Sequence, residues 1–373
     1  MVNTKKVLKG VISGNLFQLG DTSLPINDNP NGIVPTELPY ILHNDESQDI
    51  TKIMSGILKN KHILLRGPTG CGKTATIRYL ATKTNNPYRR MQLNGSTNID
   101  NFVGRYILTD KGTEWRDGVL VEAMKKGQWL VLDELNMALP EIIAVLNAVM
   151  DDDGQLLVDE HENETVLKHP NFRLFACINP TEEYVGTKEL NRALIDRFGM
   201  VLEFNYPRPE IEKKIILQHT KIEPQFGKVD GRKSIVDRML ELSQIIRDKY
   251  QKQELIFNCS TRQLIQWGDL VYELGVKSAA QVTLLAKAEK EERGKIKAEL
   301  DKLFREDEDI SYIQLQARLK AEEDLALEEE LKKAKSDLES ATSKGTFSND
   351  PNSSITGNIT STGSSIGETE IDF

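Results

Sequence analysis

Between residues 46 and 206, short apolar runs alternate with longer amphipathic stretches. The runs are His62–Gly67 (HILLRG), Arg89–Leu93 (RRMQL), Trp129–Glu134 (WLVLDE), Arg173–Asn179 (RLFACIN) and Met200–Phe204 (MVLEF). Such short runs, separated by helical segments, predict strands of a mainly parallel sheet buried on both faces. Residues 151–173 (DDDGQLLVDEHENETVLKHPNFR) break the alternation and predict a hairpin inserted before the fourth strand, with Gly154 near a turn and polar residues at the tip.

The period changes on either side. From 207 to 285 the apolar residues recur at three- and four-residue steps, as in SIVDRMLELSQIIRDKY and TRQLIQWGDLVYEL, which predicts a separate helical domain. Residues 286–340 are dense in Glu and Lys and predict a solvated charged helix or short coiled coil. Residues 341–373, rich in Ser, Thr, Gly and Asn, have too little apolar surface to fold and predict a disordered tail. Residues 1–45 carry Gly, Pro, Asn and Asp and read as a loop-like lead-in with one short hairpin at its start.

Composition adds modest limits. A length of 373 residues suits two or three domains, and 39% hydrophobic with 28% charged residues is ordinary for a globular protein. The net charge of −9 argues against broad nonspecific binding to nucleic acid or anionic lipid. Three cysteines without metal-ligand spacing read as reduced thiols. The N-terminus lacks a signal-peptide pattern and no apolar run suits a membrane span, so a cytoplasmic location without membrane association is expected.

The chemistry concentrates at strand ends. GPTGCGKT, Gly67, Pro68, Thr69, Gly70, Cys71, Gly72, Lys73 and Thr74, follows an apolar strand and opens a helix. Its glycines let backbone N–H groups turn inward around a phosphate, and the helix N-terminus adds its dipole. Lys73 is then placed to reach the β- and γ-phosphates of ATP, and the Thr74 hydroxyl to ligate Mg²⁺; Cys71 contributes its backbone. The apolar strand WLVLDE delivers Asp133 and Glu134 to its C-terminal edge, where ligands of open α/β sheets sit. Asp133 is the candidate to hold Mg²⁺ through water, and Glu134 the candidate general base. Asn179 ends the next strand, placed to orient a lytic water, or else simply to cap a strand before Pro180.

Taken in order, these motifs resemble those of AAA+ ATPases, specifically the MoxR and dynein/midasin-related branch that includes chelatase AAA+ subunits. The likeness spans residues 45–274. It rests on the phosphate loop, WLVLDELNMALPEIIAVLNAVMDD, FACINP, NFVGRYILTDKGTEWRDGVLVEAMKKG, LNRALIDRFGM and STRQLIQW. The resemblance implies an α/β fold: a P-loop NTPase core with a five-stranded, mainly parallel sheet in the AAA+ order, then an all-α lid. It implies an insertion around Gly104–Gly118 facing the ring pore or a partner, and makes the hairpin near Gly154 the pre-sensor insertion. By the same likeness Arg262 of STRQ matches a lid arginine that contacts the γ-phosphate, and Arg197 of DRFG matches a finger reaching a neighbour's ATP. Arg192 lies five residues earlier, about 140° around the helix, and is the alternative finger; it also has Glu189 as a potential partner.

The resemblance implies assembly into a homo-oligomeric ring, usually a hexamer. The leading expectation is an ATPase that remodels or activates a separate protein partner, such as one carrying a von Willebrand A-type domain. The alternatives are the ATPase subunit of a cobalt or magnesium chelatase, and a nucleic-acid motor whose basic lining would draw on KNK, YRRMQ, Arg105, Lys111 and Arg116. A non-enzymatic nucleotide switch is disfavoured, because Glu134, Asn179 and Arg197 are all present. The terminal SSIGETEIDF resembles acidic docking peptides that end in Phe.

Overall fold

The computed structural model describes residues 10–43, 49–151, 153–179, 190–224, 226, 232–305, 309 and 311–343. The tail from 344 to 373 and Glu189 lie outside these residues. The chain opens on three antiparallel strands, β1 (Val11–Ser13), β2 (Leu16–Leu19) and β3 (Thr22–Pro25), ordered β1-β2-β3. The lead-in is therefore a small sheet rather than a single hairpin. Phe17, Leu19 and Leu24 are fully buried against Ile50, Ile53 and Met54 of α1 (Ile50–Leu58), so this segment completes the core instead of leading up to it.

The central layer follows: β4 (Ile63–Arg66), α2 (Lys73–Lys83), β5 (Tyr88–Gln92), α3 (Ile99–Phe102), a hairpin of β6 (Gly104–Thr109) and β7 (Gly112–Asp117), α4 (Val119–Lys126), β8 (Trp129–Asp133) and α5 (Pro140–Met150). A second hairpin, β9 (Gln155–Val158) and β10 (Glu164–Leu167), precedes β11 (Arg173–Ile178), α6 (Arg192–Arg197) and β12 (Met200–Glu203). Five of these strands form one parallel sheet in the order β12-β4-β11-β8-β5. All five residues of β8 are buried, as a central strand covered on both faces requires. Within the sheet the strands start and stop within a residue of the apolar runs. The two hairpins meet through a stacked Trp115–His161 pair at 4.7 Å, and Lys125 bridges Asp117 and Glu164.

Helices make up the rest: α7 (Pro209–His219), α8 (Ile235–Gln251), α9 (Thr261–Leu274), α10 (Val276–Thr283), α11 (Lys290–Leu303) and α12 (Tyr312–Ser343). The helical packing runs on past residue 285. The segment expected as a solvated charged helix or short coiled coil contains α11, whose Ile296 and Leu300 are buried, as is the adjoining Phe304. Phe304 meets Trp267 edge-on at 5.8 Å and carries the Arg238 guanidinium 4.9 Å above its ring. Glu292 is buried too and accepts the backbone N–H groups of Ile256 and Phe257. Asp309 caps α10 through the backbone N–H groups of Lys277 and Ser278. Charge density hid this packing, because a four-residue apolar step survives beneath it.

A second unit begins at Leu315 and contains most of α12, where Leu325, Leu327 and Leu331 are each more than half exposed. Among the described residues no helix is long and apolar enough to cross a membrane. Phe304→Ala should lower the unfolding free energy by about 3–5 kcal/mol in denaturant titration. Leu327→Ala should change it by less than about 0.5 kcal/mol.

Candidate functional site

The loop from Gly67 to Gly72 leaves the C-terminal end of β4, and Lys73 begins α2. Gly70 and Gly72 adopt φ of 70° and 102°, left-handed values that side chains with a Cβ rarely take. The Lys73 ammonium is buried at 2.6 Å from Gly67 O, 2.9 Å from Pro68 O and 3.0 Å from Asn179 Oδ1. Those three acceptors satisfy its three N–H donors, yet all three are neutral. Among the described residues no carboxylate pairs with it, so this buried cation keeps an unspent attraction for an anion. This is the observation that fits a phosphate chain to the loop.

Asp133 closes β8 beside it. Its Oδ1 accepts the Thr74 hydroxyl at 2.8 Å, while Oδ2 accepts Arg90 Nε. Burial works against the Arg90 charge, but the bond to Asp133 and that carboxylate's charge hold its pKa above the usual value. Arg90 thus lies as a cation beside the carboxylate expected to serve Mg²⁺, and Thr74 and Asp133 together present a hydroxyl and a carboxylate oxygen to a hard cation. Glu134 follows with φ of 57°, a left-handed conformation costing a non-glycine residue about 1–3 kcal/mol. Its Oε2 accepts the Gln92 amide at 3.1 Å. Asn179 is fixed from both sides: its side-chain oxygen accepts Lys73, and its backbone oxygen accepts Asn136 Nδ2 at 3.2 Å. Beneath them the buried Cys177, register partner of Asp133, has its thiol pKa pushed up by burial and by the Asp133 charge.

These groups line a cavity of about 420 Å³ that also takes in Arg262 from α9. Its far end is walled by Tyr40, Ile41, His43, Ile215, His219 and Ile265. Among the described residues His43 Nε2 is buried there without a hydrogen-bond partner, a polar atom suited to a base or sugar edge. The sequence reading missed this wall, because PYILH sits in a segment read as loop and Ile215 and His219 needed the helical packing to be placed. It also missed Arg90 and Gln92 as site residues; their roles follow from β5 pairing beside β8, which puts Gln92 opposite Asp133.

Arg197 is not brought to this cavity. It ends α6 in a separate bay of about 670 Å³ with Lys61, Lys168 and Asp151. Its Nε donates to Asp151 Oδ1 at 2.6 Å and Nη1 to Ala193 O at 3.0 Å. Arg192 begins the same helix and is exposed.

The fold and loop define the class: a P-loop nucleotide-binding protein with an AAA+-ordered sheet and an attached helical domain. Residues 62–198 match the AAA domain of the dynein-related subfamily. The chain is 38% identical over 202 residues to midasin from Dictyostelium discoideum, a match covering 54% of this chain and 3% of that protein. It is 31% identical over 238 residues to an uncharacterised protein of Staphylococcus epidermidis, covering 62% of this chain and 86% of that one. It is 28% identical over 296 residues to the aerobic cobaltochelatase subunit CobS of a Sinorhizobium species, covering 76% and 87%. The chain therefore belongs to the AAA+ family, in its dynein-related branch.

His62 lies buried just before β4. Burial, with Lys168, Arg173 and Lys61 nearby, lowers its pKa to about 4. The unfolded chain then binds the extra proton between pH 6.5 and about 4 while the folded chain does not, so folding stability falls as pH drops through that window. Native protein should lose up to about 3 kcal/mol more than His62→Gln across this range, read from denaturation midpoints.

Proposed function

We propose that this chain is an ATP hydrolase that works as a homo-oligomeric ring, a hexamer, and couples turnover to remodelling of a separate protein partner. The buried, dipole-balanced Lys73 ammonium carries the reading. In it, the loop from Gly67 to Thr74 cradles the phosphates, and Thr74 with Asp133 holds Mg²⁺, which when bound supplies charge neutralisation at the transferred phosphoryl group. Glu134 takes the proton of the attacking water, and Asn179 orients that water while steadying Lys73. Gln92 steadies one oxygen of the Glu134 carboxylate and leaves the other to accept from water. Arg262 contacts the γ-phosphate from the helical side. Arg197, outside its own cavity, serves a neighbour's ATP, with Asp151 holding it until then; the planar, permanently charged guanidinium suits a phosphoryl oxygen.

The partner belongs to another chain, with a von Willebrand A-type domain as the first candidate class. The likeness to CobS over 87% of that subunit supports a second reading, a chelatase ATPase subunit, in which the partner is the metal-inserting subunit. Full-length protein carrying Glu134→Gln tests the enzyme reading. It should bind ATP with native affinity in equilibrium titration and lose hydrolysis by about 10²–10⁴-fold. Hydrolysis at the native rate would remove Glu134 from the role of base.

A further inference from the structure

Behind Arg262 the helical part contains a charge pair that is buried completely. Glu212 of α7 is 0% exposed and Arg247 of α8 is 6% exposed. Arg247 Nη2 lies 2.7 Å from Glu212 Oε1, and Nη1 lies 2.9 Å from Oε2, a two-pronged pairing. Burying two charges is costly, and a pair like this adds less stability than well-packed apolar residues of similar size would. What the pair does set is geometry, because Arg247 Nε and Glu212 Oε1 each bond one further, specific group.

Those groups lead to the nucleotide cavity. Glu212 Oε1 also accepts the Thr261 hydroxyl at 2.5 Å, and Arg247 Nε donates to Cys259 O at 2.8 Å. Cys259 and Thr261 flank Ser260, the N-cap of α9, which closes a capping box with Gln263. The first turn of α9 is thus held from inside by the charge pair and along its axis by the capping box. Arg262 is the next residue. The same turn abuts the phosphate loop: a Cβ on Gly70 would lie 3.0 Å from Ser260 Cβ and 3.2 Å from Arg262 Cβ. On its other face the Arg247 guanidinium lies 4.1 Å over the Tyr206 ring, and the Tyr206 hydroxyl donates to Thr69 O at 3.2 Å. One buried pair therefore touches both the helix that carries Arg262 and, through Tyr206, the loop that faces the phosphates.

We propose that Glu212 and Arg247 form a positioning unit which, through Thr261, sets Arg262 against the phosphate loop and so gives the cavity its preference for ATP over ADP. This rests on the reading of Arg262 as the γ-phosphate contact. The pair never reaches the cavity itself; it acts through the first turn of α9. Removing the Thr261 hydroxyl leaves both Glu212–Arg247 bonds and the capping box in place and cuts only the side-chain link from Glu212 to that turn.

The test is equilibrium binding of ATP and of ADP to the full chain in the Glu134→Gln background, which prevents turnover. Thr261→Val keeps the side-chain volume and should lower the ATP-over-ADP preference about tenfold, as expected for losing a hydrogen bond to a charged group. Thr261→Ser should retain the preference. Arg262→Ala should lower it at least as far, and Thr261→Val added to Arg262→Ala should lower it no further. Full preference in Thr261→Val beside a lowered one in Arg262→Ala overturns the positioning role while leaving the Arg262 reading standing, and so do effects that multiply in the double variant. Full preference in Arg262→Ala overturns both. Thermal unfolding of each variant checks folding, and Thr261→Ala replaces Thr261→Val if the latter does not fold.

Discussion

The Lys73 ammonium, buried and held among the described residues by neutral acceptors, is the constraint on which the rest of the site depends. A desolvated cation is tolerable only when each donor is met, and here the acceptors come from the phosphate loop and from the end of β11. The parallel sheet supplies them, because its order puts β4 and β11 side by side with their C-terminal ends together. The next strand, β8, then places Asp133 against Thr74, and β5 places Arg90 and Gln92 against the acidic pair. The contacts of Lys73 with Asn179, Thr74 with Asp133, and Arg90 with Asp133 all follow from strand order.

The helical part obeys the same logic with opposite weighting. Its interior includes the apolar packing of Trp267, Ile296, Leu300 and Phe304, and one complete ion pair, Glu212–Arg247. Apolar packing supplies the stability and the pair supplies orientation, since its bonds end on the turn that begins α9. Tyr206 lies where β12 gives way to the helices and touches both systems. Movement of the helical part relative to the phosphate loop would be felt through this ring and through the contact of Gly70 with α9.

Much of this was legible in the chain. The central strands β4, β11 and β8 were readable because strands buried on both faces are continuous apolar runs, while the edge strands β5 and β12 are half exposed and showed through shorter apolar stretches; the phosphate loop was readable because its glycines and Lys73 have fixed spacing. The helical core beyond 285 was hidden, since α11 is mostly Glu, Lys and Arg, and only Ile296, Leu300 and the adjoining Phe304 betray its buried side. The N-terminal sheet was obscured by its short strands and closely spaced turns, with only Phe17, Leu19 and Leu24 marking its core side. Gln92 and Arg90 acquired meaning only from register, which depends on strands far apart in sequence. Arg197 could be given a role by likeness; its separation from the cavity of its own chain came only with the fold.

That separation makes the central claim accessible to one measurement. Glu134→Gln and Arg197→Ala chains are each purified in full length and mixed, and ATP hydrolysis is followed across mixing ratios. Arg197→Ala alone should fall within the roughly 10³–10⁵-fold range that an arginine contact to a transferred phosphoryl group can contribute, and Glu134→Gln alone by roughly 10²–10⁴-fold. The mixture should regain part of the native rate, because some interfaces then pair an intact Glu134 with an intact Arg197 from the adjoining subunit. A mixture as inert as its components, or Arg197→Ala turning over at the native rate, contradicts a site completed by its neighbour.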